Sequence, residues 1–136
     1  MDDFDAFLDA RLDEDEQTAR EAGGQWMVLP VSGWIHTKAV PSREWQPPGS
    51  DHHVASAPLE GDRAHIVRHD PARVLAEVDA KRRLAELHQA ADYEYADGPV
   101  CLTCDQGGPL PYPCPTLRLL ALPYGPHPDY RDKWRP

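Results

Sequence analysis

The sequence predicts an α+β fold of three to four helices with a small, short-stranded antiparallel sheet, organised around a knuckle-type structural zinc site. Three observations carry this. Two stretches, at residues 2–22 and 71–88, combine helical apolar spacing with recognisable end signals. Between and after them lie short runs of β-favouring residues, broken up by 15 prolines and 9 glycines. All three cysteines fall in one stretch, CLTCDQGGPLPYPC, residues 101–114. At 136 residues and 40% hydrophobic content, the chain reads as one domain over 1–136 with a sparse core. A chain of this size buries only about two-thirds of its unfolded surface, so a metal staple is a natural supplement.

The first element is an acidic N-terminal helix within residues 1–24. Phe4, Phe7, Leu8, Leu12, Ala19 and Ala22 share one face, Asp2 or Asp3 can cap it, and Gly23-Gly24 ends it. Residues 25–40 read as an edge strand or two short strands, on Trp26, Val28, Val31, Trp34, Ile35 and Val40 with Pro30 and Gly33 as breaks. The stretch 41–61 holds four prolines and two glycines and reads as an irregular loop. RAHIVRH, residues 63–69, reads as a short extended segment. The next signal is clearer: Asp70 as N-cap, Pro71 at the first helical position, and good helix formers to about His88. Val74, Val78 and Ala85 make its stripe, and His88 lies near the edge of that stripe. ADYEYA, 91–96, alternates like a strand. Pro115 opens another helix, PTLRLLAL, with Cys114 at its N-cap, and residues 71–122 form a helix–knuckle–helix core. HPDYRDKW, within 123–136, reads as a last short helix.

The chemistry sits on the cysteines. Cys101-x2-Cys104 is a knuckle spacing, in which a tight turn lets two thiolates hold one ion. Cys114 follows after nine residues, at a helix N-terminus where backbone N–H groups favour an anion. A tetrahedral site needs a fourth ligand. His88 is the expected one, with His127, His69 and Asp105 as alternatives. The set His88, Cys101, Cys104, Cys114 would be a closed structural Zn2+ site with no position open to substrate. Other readings of the cysteines are thiols without metal, a Cys101–Cys104 disulfide, or a redox pair. The Asp105–Pro109 sequence after the knuckle cannot continue a helix, as a redox motif would require.

Function is less legible. The formal charge is −9, and residues 1–24 alone carry nine acids against two bases. That offers no basic footprint for nonspecific nucleic-acid binding. No apolar run is long enough to span a membrane, and the acidic N-terminus is unlike a secretory signal, so a cytoplasmic setting is expected. No nucleotide-binding, hydrolase or paired-carboxylate motif is present. Asp51-His52-His53 resembles part of a metal hydrolase but stands in the Pro-rich loop. His65 and His69, four apart, share a face on a strand and could chelate a metal on a helix. The leading expectation is a noncatalytic, zinc-stabilised module that binds another protein, with the acidic helix facing a basic partner. Trp26, Trp34, Trp45, Tyr130 and Trp134 are its candidate anchors, or else its core. The alternatives are a sequence-specific nucleic-acid-binding zinc protein and a metal-dependent hydrolase using His52, His53, His65 or His69.

Four motifs recur together in this order: FLDARLDEDEQTAR, then HIVRHDPARVLAEVDAKRRLAELH, then C-x2-C with YPCPTLRLLALPY, then HPDYRDKWRP. In this the chain resembles a family of small proteins of unknown function from actinobacteria and their phages. The resemblance covers well over half the chain and implies that His88 and the three cysteines form one unit. It implies no activity. The Ala-, Arg-, Asp- and Pro-rich usage suits a GC-rich genome.

Overall fold

The computed structural model describes residues 3–38, 53–105 and 107–136. The fold is α+β, with four helices and two three-stranded antiparallel sheets. Residues fall into two compact units, Met1–Glu14 with Val78–Pro136, and Asp15–Glu77. None of the described helices is long and apolar enough to cross a membrane.

The first unit is built on the N-terminal half of helix α1, Asp3–Ala22. The apolar face read from the sequence is the buried one: Phe4, Phe7, Leu8 and Leu12 are all in the core. Phe4 and Phe7 pack on the aromatic residues Tyr130 and Trp134. Trp134 sits with its ring centroid 5.5 Å from that of Phe4 and 5.1 Å from that of Phe7, and Tyr130 lies 5.7 Å from Phe7. An Arg131–Asp3 ion pair at 2.6 Å and a hydrogen bond from the Tyr112 hydroxyl to Asp5 border this cluster. The expected helix in HPDYRDKW is shorter in fact, a single 3-10 turn at Asp132–Trp134. With prolines at 126, 128 and 136, packing of Trp134 rather than helix propensity holds the segment.

The same unit contains the end of α3, Pro71–Leu87, and a sheet of β4 (Ala90–Ala91), β5 (Val100–Asp105) and β6 (Pro109–Pro111). Helix α4, Pro115–Ala121, follows a cis Tyr112–Pro113 peptide and runs on into a 3-10 turn at Leu122–Tyr124. Leu117 and Ala121 bury its inner side. The strand expected at 91–96 is only two residues long. Tyr93 and Tyr95 lie outside it and are exposed, and the Ala96 N–H closes a turn on the Tyr93 carbonyl at 3.0 Å, which ends the extended run.

The second unit carries β1 (Trp26–Val28), β2 (Ile35–Thr37) and β3 (His53–Ala55) in that order, all antiparallel. β1 and β2 form the expected pair of short strands, joined by a turn in which Gly33 has φ +69°, a conformation that glycine adopts without steric cost. Ile35 is fully buried. Two expectations need correction here. The Pro-rich stretch 41–61 is not irregular throughout: its end holds β3 and the start of α2, while residues 41–52, Trp45 and His52 among them, lie outside the described residues. The segment 63–69 is not extended but is the body of helix α2, Glu60–Arg68. Arg63 reaches back to the Ala57 and Pro58 carbonyls at 2.9 and 3.1 Å, which satisfies backbone acceptors just before the first turn. Asp70 caps α3 as expected: one carboxylate oxygen accepts the Arg73 N–H at 2.9 Å, and the other accepts the Trp26 N–H at 3.2 Å.

Candidate metal centre

Four elements of the first unit converge on one point. His88 is the residue directly after α3, held by its N–H to the Ala85 carbonyl at 3.1 Å. β4 then turns the chain back, and its pairing with β5 sets Ala90 opposite Cys101. That antiparallel return is what carries the first cysteine to the end of α3.

The second cysteine needs a local device. Positions 101 and 104 are three apart, so on a regular strand their side chains would point to opposite faces. The register between β5 and β6 resolves this. Cys101 pairs with Leu110 and Asp105 pairs with Pro109, so four steps on β5 face one step on β6. Residues 102–104 are extra, and the bulge they make is the knuckle. Thr103 pins it by donating its hydroxyl to the Leu87 carbonyl. Cys114 arrives from the other side as the N-cap of α4.

The resulting geometry is specific. The His88 Nδ1 lies 3.5 Å from Cys101 Sγ, 3.3 Å from Cys104 Sγ and 3.6 Å from Cys114 Sγ. All four ligand atoms lie within 4.8 Å of one another. One imidazole nitrogen has a single proton or a single lone pair, so it cannot hydrogen-bond to three sulfurs at once. The spacing is the one that ligands of a shared tetrahedral ion would have. With Zn–S about 2.3 Å and Zn–N about 2.05 Å, nitrogen and sulfur ligands stand about 3.6 Å apart. The three cysteines are free thiols, not a disulfide pair. His88, Cys101 and Cys114 are buried and Cys104 is partly so.

The thiols are not equivalent. Burial pushes Cys114 up to about 11, against the Leu117 backbone amide, which lowers it. Cys104 is held below the usual thiol range, chiefly by the Thr116 hydroxyl 3.5 Å from its sulfur. A divalent cation would offset the burial penalty on all the thiolates together. Neither Thr103 nor Thr116 was legible as part of the site. Thr103 precedes Cys104 and Thr116 stands two residues after Cys114, and that nearness in sequence is the only signal there was.

None of the other described histidines joins this cluster. His127, an alternative fourth ligand, has its Nε2 against the Arg11 guanidinium and its Nδ1 on the Asp129 N–H at 3.1 Å. His69 belongs to the second unit, and the side chain of Asp105 lies outside the described residues. His53 shares its Nε2 with Ser56 at 3.2 Å. Among the described residues, the His88 cluster is the one group of three or more potential ligands drawn together.

A family model matches the chain from residue 1 to residue 136. The chain belongs to a family of unknown function (DUF6221). Within that family's span lie all four converging side chains. No curated protein and no solved structure matches the chain.

Proposed function

We propose that this chain is a zinc-stabilised, noncatalytic module that works by binding another protein. His88, Cys101, Cys104 and Cys114 would hold one Zn2+ in a closed site, fastening the end of α3, the β5–β6 hairpin and the start of α4. The observation that carries this reading is the convergence of three sulfurs on one imidazole nitrogen at 3.3–3.6 Å. Four protein ligands leave no position for substrate, which supports a structural role over a catalytic one. The ligand set supports zinc as the ion: three thiolates and an imidazole suit it.

For partner binding the support is narrower. Trp134 is core, only 3% exposed, and so is not an anchor. Trp34 is 40% exposed and remains one. Asp5, Asp9 and Asp13 recur every four residues on α1 as an acidic row, answered within the chain by Tyr112 on Asp5 and by Arg82 on Asp13 at 2.6 Å, so it is the net charge of residues 1–24, nine acids against two bases, that suits a basic protein surface. The setting we propose, on charge and composition, is the cytoplasm of an actinobacterium or of a cell infected by one of its phages.

Elemental analysis tests the central claim. Purified protein should hold about one zinc per chain, and chelation should lower its melting temperature, because metal-binding energy is folding energy here. Cys104→Ser should lose the metal. A metal-free protein that melts identically with and without chelator would refute the reading.

A further inference from the structure

The stretch HIVRH sets two imidazoles four residues apart, and its meaning depends on the backbone. His65 stands in the last turn of α2 and His69 is the cap residue just beyond it, at the i, i+4 separation that makes side chains neighbours. Their ring centroids are 4.5 Å apart, with the planes at 40°. We propose that His65 and His69 form a second metal site, a two-imidazole chelate for a divalent transition ion of the nickel and copper class.

The spacing selects that class. With metal–nitrogen bonds of about 2.1 Å and about 1.1 Å from nitrogen to ring centre, two imidazoles at a right angle stand about 4.5 Å apart, and at the tetrahedral angle about 5.2 Å. The observed separation matches the right-angle case. Adjacent positions at 90° belong to square-planar and octahedral ions, and nitrogen donors in that geometry point to Cu2+ or Ni2+. The thiolate centre, tetrahedral and sulfur-rich, selects differently, so the two sites need not compete.

The chelate is also held in place. His69 closes the last turn of α2, its N–H donating to the His65 carbonyl at 3.1 Å and to the Ile66 carbonyl at 3.3 Å. The next residue is Asp70, whose carboxylate is fixed by two backbone N–H groups. The backbone beneath the second imidazole is therefore set by the corner between α2 and α3, which reduces the ordering cost of closing the chelate. Both rings are exposed, and among the described residues neither has a hydrogen-bond partner. A bound ion would keep its remaining positions open to water or to an outside ligand. The other histidine pair, His36 and His53, differs: its rings meet edge-on at 5.5 Å and His53 is engaged with Ser56.

The test is a calorimetric titration of full-length, zinc-loaded protein with Ni2+ alone. The expected result is one saturable site per chain, with zinc retained and no thiolate-to-nickel absorption band. His65→Ala and His69→Ala should each weaken it at least about tenfold, since either change turns a chelate into a single ligand. His53→Ala should leave it unchanged. Absence of saturable binding, affinity unchanged from the parent in His65→Ala or His69→Ala, or uptake only with release of zinc would each overturn the proposal. Zinc content measured on the same samples separates this outcome from failure of the thiolate centre.

Discussion

Replacing Trp134 by Ala tests the way the first unit is closed. The indole is 97% buried, since 3% of the residue is exposed, and it touches Phe4, Phe7 and Tyr130 with centroids 5.1 to 5.8 Å away. A buried Trp covers about 150–250 Å². At about 25 cal/mol per Å² that is roughly 4–6 kcal/mol of transfer free energy. Partial collapse of the cavity brings the observed cost of such truncations to about 3–5 kcal/mol. For a chain of 136 residues the unfolding entropy is roughly 0.29 kcal/mol per kelvin, so the melting temperature should fall by about 10–17 °C. The assay is thermal unfolding of the zinc-loaded protein by circular dichroism, with Trp34→Ala alongside as the half-exposed comparison. Trp34→Ala should cost far less. A loss below about 3 °C for Trp134→Ala, or equal losses for the two variants, would refute the claim that one indole is core and the other surface.

Two further outcomes follow from the metal centre and the acidic row. Thr116→Val should lower zinc affinity by about tenfold in a chelator competition, the weak end of the range for a group hydrogen-bonded to a metal ligand, while leaving the ligand set intact. Asp9 is raised above its ordinary value of 3.8, first by burial and then by Asp5 and Asp13, with Arg82 opposing. A raised folded-state value means the folded protein holds that proton more tightly, so the stability it contributes is present below 3.8 and lost as pH rises through the folded value. Asp9→Asn should therefore be at least as stable as the parent at pH 7 in urea melts, and should lose any advantage at pH 3.

The features that could be read in advance were those with local chemistry. Asp70-Pro71 marks a helix start because a carboxylate cap and a pre-set φ act within one turn. The face of α1 was legible because four bulky residues repeat at helical spacing and most of the remaining residues are charged. The cysteine knuckle and Cys114 were legible by spacing, and His88 by its place at a helix end. What misled was weak amphipathicity. Helix α2 buries no residue, so RAHIVRH carries no stripe and its alternating polar and apolar residues mimic a strand. ADYEYA failed for the same reason in reverse: its alternation has no sheet face to answer to. The bulge that turns Cys104 toward Cys101 depends on pairing with β6, and no residue in the knuckle announces it.

The contact between Phe4 and Trp134 joins positions 130 apart in sequence. During synthesis the chain emerges from its N-terminus, so Phe4 and Phe7 lack their aromatic partners until Tyr112, Tyr130 and Trp134 have all been made. The thiolate centre completes earlier, once Cys114 is free of the ribosome. Closure of the unit is therefore ordered in time: the metal clamp can form first, and the aromatic latch comes last. A chain cut short before Trp134 would keep its cysteines and still present a bare apolar helix face, which marks it for aggregation or proteolysis. The aromatic side of the first helix is thus covered only after residues 130–134 have been made, although Arg82 can already pair with Asp13 on its other side.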